Sequence, residues 1–349
     1  MQVHVRERAR EHRGGVRRTS GPRTLEFAFG NDRETGFFSR SHSSSRRCGR
    51  ARRAWRAREP FSALARRESP SAATCVFLWT LALTRAAVQI AVMVDLAKLT
   101  SPDAERCFHA RAIALLPIGS TEPHGPHLPL DTDVTIACAQ ARRAAQRCEA
   151  LGVTAFVLPP IAYGITNYTE GFRGRVTLRP GTLWALLEDV IVALEQEGVR
   201  QVVLVNGHLE PAHVQVLRGV VLDHAQRGPG KAHALFADNT RRKQAEKLGA
   251  EFKSGDCHAG SYETSLVLAA DAASVRTERI AELPALRIDL IEKMKAGVTT
   301  FAAAGATRGY CGDPRAASAA EGEQLLDRLA DIVVDLARET WPDLFTRQA

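Results

Sequence analysis

The stretch AIALLPIGSTEPHGPHLPLDTD, residues 112–133, joins an apolar run to a loop rich in acidic and histidine residues. Its first part, AIALLPIG (112–119), has the length of a strand and no polar alternation, which is typical of a strand buried on both faces. Runs of the same type follow at 154–163, 201–207 and 233–239. The stretch therefore predicts the first strand of a parallel sheet, with a polar loop at its carboxyl end.

Segments with apolar residues at helical spacing lie between and after these runs. Strands that alternate with helices, and that are apolar throughout, indicate a parallel sheet covered by helices on both faces. The apolar fraction of 45% is ample for the core of such a domain. The predicted helices span 133–152, 181–198, 211–228, about Ser261 to Ala270, and 316–341.

The first 92 residues differ from the rest in charge. Residues 1–92 hold 19 arginines, no lysine and 7 acidic residues, a balance of +12, whereas residues 93–349 hold 28 basic and 32 acidic residues, a balance of −4. Arginine-rich and serine-rich stretches without apolar periodicity predict a disordered extension over 1–92. Met93 is the expected true start of the folded domain, which would span 93–349, and a functional or targeting arm is the alternative. An arginine-rich arm is able to bind nucleic acid, but no nucleic-acid partner is expected because the basic charge is confined to this extension.

The apolar run TCVFLWTLALT (74–84) is about half of the roughly 20 residues that a membrane-spanning helix needs. Arg85 interrupts its continuation, so no membrane association is expected, and an export signal or anchor is the alternative. The seven cysteines include no CxxC pair and indicate neither a disulfide framework nor a zinc ribbon. We therefore expect a cytoplasmic protein.

Two polar loops leave the carboxyl ends of predicted strands, where open parallel sheets bind ligands. GSTEPHGPHLPLDTD (119–133) follows the first strand, and NGHLEPAH (206–213) follows the third. Residues at i and i+2 of an extended segment point the same way, so each loop presents one acid and one imidazole together. The candidate ligands are Glu122, His124, Asp133, His208 and Glu210.

These carboxylates and imidazoles suit zinc, manganese or iron, and five are about right for two metals that share one carboxylate. Each residue alone also has an ordinary structural explanation. Asp133, for example, lies at the start of a predicted helix and is a possible N-cap. All five candidate ligands lie where strand ends converge, so a metal site is a better explanation than five separate structural roles.

The segment IGSTEPHGPHLPLDTD (118–133) resembles the signature of the creatininase (creatinine amidohydrolase) family, a Gly-Ser-x-Glu-x-His-Gly-x-His-Leu-Pro loop followed by Thr-Asp. Further matches are VNGHLEP (205–211), HAGSYETSLVL (258–268) and GYCGDPRAASAAEGE (309–323). The resemblance runs from about residue 105 to the C-terminus. It implies a three-layer α/β/α fold with a mainly parallel sheet, a two-metal hydrolytic centre and a homo-oligomer, often a hexamer.

The resemblance also implies which residues bind two divalent cations per chain, with zinc as the first choice and manganese or iron as alternatives. One ligand set is Glu122, Asp133 and His208, and the other is His124, Asp133 and Glu210, so Asp133 is shared. Many family members lack an acid in the second loop, and Glu263 is then the natural substitute. Glu210 is the preferred ligand here, with Glu263 as the alternative.

His258 matches a histidine that faces the substrate in creatininase, and we expect it to protonate the leaving nitrogen; a helix-capping histidine is the alternative. Glu210 is its candidate catalytic partner. His127 is expected to orient the ligand loop, and Asp131 either accepts a hydrogen bond from a liganding histidine or is a solvated turn residue. The loop 166–174 is predicted to be a lid over the substrate, or else a surface loop between subunits. The candidate substrate-contacting residues are Thr166, Tyr168, Leu209 and Tyr262, with Tyr163 and Phe172 as further aromatic candidates.

Three departures from creatininase bear on the substrate. Leu209 and Pro211 stand where creatininase has tyrosine and asparagine, and EFKSGDC (251–257) lacks its tryptophan. Creatinine is therefore not the expected substrate. The predicted activity is metal-dependent hydrolysis of a C–N bond other than a peptide bond, in a cyclic amide or formamide of a small molecule. The alternatives are a non-catalytic metal-binding protein of this fold and a hydrolase of a non-amide substrate such as an inositol-derived ketone.

Overall fold

The computed structural model describes residues 95–346. The predicted disordered extension 1–92, the start at Met93 and the apolar run 74–84 lie outside the described residues. Within residues 95–346, no helix combines the length and apolar character needed to cross a membrane.

Four parallel strands form the sheet of the described domain, in the order β2-β1-β3-β4. The strands are β1 (Ile113–Ile118), β2 (Ala155–Val157), β3 (Gln201–Asn206) and β4 (His233–Phe236). The two central strands pair along their whole length, from Ile113 opposite Gln201 to Ile118 opposite Asn206. Their carboxyl ends therefore lie side by side, as the sequence predicted for the two polar loops.

The second strand is shorter than the predicted run 154–163. Pro159 and Pro160 follow it, and proline has no backbone N–H to give to a ladder. Pairing resumes only as an isolated bridge between Ile118 and Ile161.

The predicted long helices all form, with ends that shift by at most a few residues. Shorter helices that the apolar periodicity did not indicate connect them. The α-helices are α1 (Ser101–Glu105), α2 (Thr132–Ala150), α3 (Pro180–Gln196), α4 (Pro211–Ala225), α5 (Arg242–Ala245), α6 (Ala250–Ser254), α7 (Ser261–Asp271), α8 (Thr277–Ile280), α9 (Leu290–Lys295), α10 (Phe301–Ala304) and α11 (Ala319–Thr340). Single 3-10 turns occupy Leu96–Lys98, Ala272–Ser274, Pro314–Ala316 and Pro342–Leu344.

Successive side chains of the sheet enter two different cores, because side chains alternate between the faces of a strand. On β1, Ile113 and Leu115 belong to a core shared with α2, α7 and α11. Ala114 and Leu116 belong to a second core, shared with α3 and α4. Helices thus cover both faces of a parallel sheet, and the predicted three-layer α/β/α fold is confirmed.

A third, smaller apolar cluster lies apart from the sheet. It is centred on residues 286–306, which we call the apolar wall, and it contains Ile288, Leu290, Phe301, Ala304, Ala306 and the neighbouring Cys311. Two backbone hydrogen bonds between Leu286 and Gly312, each 2.8 Å long, join the wall to the rest of the domain. The buried carboxylate of Asp256 accepts three more, from the N–H groups of Ile288, Asp289 and Leu290.

Candidate metal centre

Five buried acidic and histidine side chains meet where β1 and β3 end. Glu122 and His124 lie on the loop after β1, and His208 lies on the loop after β3. Asp133 is in the first turn of α2, and Glu263 is in the first turn of α7. Elements that are distant in sequence therefore supply one compact polar cluster.

Two glycines at the strand ends allow α2 to approach this closely. A Cβ atom on Gly207 would lie 2.2 Å from the backbone oxygen of Asp133, and one on Gly119 would lie 2.5 Å from the backbone nitrogen of Val134. Neither position has room for a side chain. The glycines of the GSTE and NGH segments thus place Asp133 between the two loops.

The Asp133 carboxylate stands between the two imidazoles. Its Oδ1 lies 3.1 Å from His124 Nε2, and its Oδ2 lies 3.0 Å from His208 Nδ1. Glu122 Oε1 is 3.2 Å from the same His208 nitrogen, and Glu263 Oε2 is 3.6 Å from His124 Nε2. Two groups with metal-ligand spacing result, namely Glu122 with Asp133 and His208, and His124 with Asp133 and Glu263. Asp133 belongs to both.

The far nitrogen of each imidazole faces a backbone carbonyl. His124 Nδ1 lies 3.1 Å from the oxygen of Glu122, and His208 Nε2 lies 2.7 Å from that of Ile165. A carbonyl only accepts hydrogen bonds, so these nitrogens donate, and in a neutral ring the near nitrogens turn lone pairs toward the carboxylates. Lone pairs and carboxylate oxygens repel each other unless a cation lies between them. The arrangement thus fits divalent metal ions, which take this donor set.

The charges of the cluster also indicate a site for cations. Burial disfavours a charged imidazole, but the carboxylates of Asp133, Glu263 and Glu122 together outweigh it and raise the pKa of His124 to about 10. Burial raises the pKa of the Glu263 carboxyl to about 8. Buried carboxylates at this density require positive charge among them, either as protons or as metal ions.

Three hydroxyl groups hold the carboxylates in place. Thr166 Oγ1 and Thr169 Oγ1 donate to Glu122 Oε2 at 2.5 and 3.2 Å, and Ser120 Oγ donates to Asp133 Oδ2 at 2.9 Å. The structure gives Thr166, a predicted substrate contact, a different role, because its buried hydroxyl is directed at Glu122. The roles of Thr169 and Ser120 were missed. Ser120 lies two residues before Glu122, which was its only sequence signal, and Thr169 has no candidate ligand near it in the sequence.

Glu210 and Glu263 occupy different places. Glu210 Oε2 accepts the backbone N–H of Tyr168 at 3.1 Å, and the residue lines the cavity beside His208. Among the described residues, the groups with metal-ligand spacing contain Glu263 and omit Glu210. The Ala259 N–H fixes Glu263 by donating to its Oε2 at 2.6 Å. The geometry therefore favours Glu263, the alternative of the sequence analysis, as the partner of His124.

His258 lies in a stack of rings above the cluster. Its ring centroid is 4.4 Å from that of His124. The Phe301 ring stacks on it with centroids 4.2 Å apart and an angle of 17° between the planes of His258 and Phe301. Its Nε2 donates to the backbone oxygen of Pro123 at 3.0 Å. Burial lowers the pKa of His258 to about 4, which favours a neutral ring with Nδ1 as a proton acceptor.

His213 braces the second ligand loop, a role that the sequence analysis missed. Its Nε2 lies 3.1 Å from Asn206 Oδ1, and its Nδ1 accepts the Ile165 N–H at 3.3 Å. The ring meets that of His208 edge to face, with centroids 4.8 Å apart. The available signal was the second histidine of NGHLEPAH, which lies in the first turn of α4.

The two residues predicted to support the ligands differ in outcome. His127 is buried, and its Nε2 lies 2.8 Å from Thr264 Oγ1, so it joins the ligand loop to α7 next to Glu263. Asp131 is exposed and occupies the N-cap position of α2, where its side chain makes no capping hydrogen bond. This exposure fits the second of the two roles expected for Asp131, that of a solvated turn residue.

A cavity of about 670 Å³ opens from the cluster. Tyr168 and Leu209 line it, as expected of substrate-contacting residues. Tyr262, also expected to contact the substrate, does not line this cavity, because its side chain is buried against Phe252 in a sheet core. Neither Tyr163, which is 50% exposed, nor Phe172, which packs on the apolar wall, lines the cavity. Most of the apolar lining was not predicted and comes from Ala245, Phe252, Leu290, Ile291, Met294 and Phe301, with Arg242 and Lys253 as cationic lining residues.

Known proteins resemble this chain over most of the described domain. The family described as Creatininase: Creatinine amidohydrolase matches residues 97–337. A mycofactocin precursor peptide peptidase from Mycolicibacterium smegmatis is 34% identical over 235 residues, which is 66% of this chain and 86% of the relative. A creatinine amidohydrolase from Pseudomonas putida is 26% identical over 254 residues, covering 66% of this chain and 90% of the relative.

Solved structures agree with this family match. A crystal structure of creatinine amidohydrolase (creatininase) has a TM-score of 0.56 and 25% sequence identity, covering 71% of this chain and 98% of that structure. The family match spans well over half of the sequence, and the fold and the clustered acidic and histidine residues are consistent with it. The chain therefore belongs to the creatininase family of metal-dependent hydrolases.

Proposed function

We propose that this protein hydrolyses an amide C–N bond with two divalent cations, which its two ligand groups hold on either side of Asp133. The proposal rests on one observation, the convergence of two acid and imidazole groups on a single buried carboxylate at the floor of a cavity. Glu122, Asp133 and His208 form the first site, and His124, Asp133 and Glu263 form the second. Zinc is the first choice for both, with manganese or iron as alternatives, because carboxylates and imidazoles suit these metals.

Such a pair of cations, when bound, lowers the pKa of a water molecule and polarises a carbonyl group. The protein supplies position and proton transfer. The hydroxyl groups of Thr166 and Thr169 keep Glu122 aligned, and the carbonyls of Glu122 and Ile165 fix the orientations of both imidazoles. Ligands that are held in place in this way need no rearrangement during the reaction.

Two further groups are placed to move protons. Glu210 engages Tyr168 through Oε2, which leaves Oε1 to accept the proton of the attacking water. His258, held through Nε2, accepts the second proton of that water at Nδ1 and passes it to the nitrogen as the C–N bond breaks, while Glu210 releases the first proton to solvent. In this proposal Glu210 is a catalytic base rather than a metal ligand.

The proposed substrate class is wider than the sequence analysis allowed. The named relatives include a peptide peptidase and a creatinine amidohydrolase, which share the hydrolysis of a C–N bond. The cavity has the size of sites that bind drug-sized ligands and is larger than a single small ring requires. We therefore include peptide bonds, and we keep the prediction that creatinine is not the substrate. The homo-oligomer, the cytoplasmic location and the absence of a nucleic-acid partner stay predictions.

Metal analysis and an amide panel test the proposal together. The purified full chain should contain about two transition-metal ions, and it should release amine from at least one class among lactams, formamides and blocked dipeptides. Dialysis against a chelator should abolish the release, and adding Zn²⁺ or Mn²⁺ should restore it. A protein that holds two metal ions and cleaves no member of the panel would contradict the amidohydrolase proposal. A protein that cleaves amides equally well after complete metal removal would contradict the metal-based mechanism.

A further inference from the structure

The cavity is strongly asymmetric. Its lining combines the carboxylates and imidazoles of the cluster with an apolar group, made of Phe252 and four residues of the apolar wall. These four are Leu290, Ile291, Met294 and Phe301. An apolar surface of this kind gains free energy when an apolar group covers it. A small polar ring would leave it in contact with water.

The contact between Phe301 and His258 shows which catalytic group lies next to the apolar wall. The two rings stack with centroids 4.2 Å apart, so the apolar wall begins directly beside the proposed proton donor. Phe301 also belongs to the cluster that contains Leu290 and Met294. Because His258 must lie near the leaving nitrogen, the wall lies on the amine side of the scissile bond.

The wall is held in a fixed position. Asp256 accepts three backbone N–H groups at the start of α9, with distances of 2.9 to 3.1 Å. The Phe301 N–H donates to the Tyr168 oxygen at 2.8 Å, and Tyr168 OH donates to the Val298 oxygen at 2.9 Å. The wall is thus tied to the loop 166–174 and to the segment that carries His258. A preformed surface needs little ordering when a ligand binds.

We infer that the leaving amine of the substrate carries a bulky apolar group, of the size of a leucine or phenylalanine side chain, next to the scissile nitrogen. This inference rests on the proposed amide hydrolysis, since it uses His258 to identify the leaving side. It names a substrate class, namely amides and peptides whose amine portion is an apolar amino acid or a similar apolar amine.

Two blocked dipeptides of identical composition test the inference. In acetyl-glycyl-leucinamide the leucine lies on the amine side of the central bond, and in acetyl-leucyl-glycinamide it lies on the acyl side. The metal-loaded full chain should cleave the first with a kcat/KM about tenfold to a hundredfold higher, the range expected for seating one leucine side chain in an apolar pocket. Equal cleavage, or a preference for the second dipeptide, would overturn the inference and leave the amidohydrolase proposal standing.

A wall variant sharpens the test without disturbing the core. Ile291 lines the cavity and is 41% exposed, so Ile291→Asp should fold normally. It should reduce the preference for amine-side leucine by about fivefold to tenfold, mainly through KM. Leu222→Asp is the matched control, because Leu222 is a 63% exposed residue of α4 that does not line the cavity. An unchanged preference in Ile291→Asp would count against the wall.

Product binding separates the two ideas if neither dipeptide is cleaved. Leucinamide and glycinamide represent the leaving amine with and without its apolar group. Calorimetry on the metal-loaded protein should show at least tenfold tighter binding of leucinamide, and Ile291→Asp should reduce the difference. Tighter leucinamide binding without hydrolysis would overturn the proposed function alone. Equal binding of both amines would overturn the inference.

Discussion

The floor of the cavity and its apolar wall are built in opposite ways. The floor takes its residues from the ends of the central strands and from the first turns of α2 and α7, all of which are anchored in the main cores. The wall consists of short helices that pack on a small cluster of their own. Hydrogen bonds to Asp256, to Gly312 and to Tyr168 link it to the rest of the domain.

This difference separates reaction from recognition. A floor on strand ends is rigid, because any displacement of Asp133 would require the core around α2 to move. A wall on a separate cluster changes shape or polarity without altering the sheet, as with many loops that carry specificity on a fixed scaffold. Substitutions in the floor should therefore change metal content, and substitutions in the wall should change which substrate is preferred.

Asp133→Ala should have the largest effect, because it removes the carboxylate common to both ligand groups. The variant should retain much less than one metal ion per chain, and hydrolysis should fall at least about a thousandfold, since bound cations supply several kcal/mol of transition-state stabilisation. Elemental analysis and initial rates provide the measurements.

Asp131→Ala is the control for this change, because Asp131 lies two residues away and is exposed. It should keep both metal ions and nearly full activity. Unchanged metal content in Asp133→Ala would contradict the shared position of Asp133.

Glu263→Gln and Glu210→Gln should divide metal binding from proton transfer. Glu263 lies 3.6 Å from His124 Nε2, so the glutamine variant should lose about one of the two metal ions and most of the activity. Glu210→Gln should keep both ions and lose about a hundredfold in kcat, the range for removal of a general base. The reverse pattern of metal content would return Glu210 to the ligand set.

Thr166→Val should have a smaller effect on the floor. The substitution preserves shape and removes a buried hydroxyl that donates to Glu122. Supporting contacts of this kind are typically worth tenfold to a hundredfold in metal affinity, so we expect about tenfold weaker binding of one ion. Titration with a competing chelator measures it. Thr169→Val should cost less, because its 3.2 Å bond to Glu122 is longer. No change in either variant would show that Glu122 needs no orienting donor.

Most of the floor was predictable because its signals are local. Apolar runs predicted the strands, and the strand ends predicted that Glu122, His124 and His208 would meet. The choice between Glu210 and Glu263 was not predictable, because both acids follow a histidine at short range and only the packing of α7 decides which reaches His124. The contact of Thr166 with Glu122 was not predictable for a related reason, since a buried hydroxyl and an exposed one look alike in a sequence.

The wall was almost invisible to sequence reasoning. Helices α9 and α10 span six and four residues, too short for apolar periodicity to be read. Aromatic residues in motifs looked like better wall candidates, yet Tyr262 is buried in a core and Phe301 lines the cavity. Which aromatic residue reaches a cavity depends on contacts between distant segments, such as the bond from the Phe301 N–H to the Tyr168 oxygen.

Asp256→Asn should have the smallest effect on the reaction and should act on the wall alone. The amide that replaces one carboxylate oxygen would face backbone N–H groups, so the free energy of unfolding should fall by about 2 kcal/mol, the value typical of hydrogen bonds to a charged group. In a domain of this size, that corresponds to a thermal midpoint lower by roughly 4–8 °C.

Both metal ions should remain bound, and KM for an amine-side leucine substrate should rise severalfold with little change in kcat. Asp271 is exposed at the end of α7, so the control Asp271→Asn should change neither the free energy of unfolding nor KM. Loss of metal from Asp256→Asn would contradict the independence of the wall from the floor.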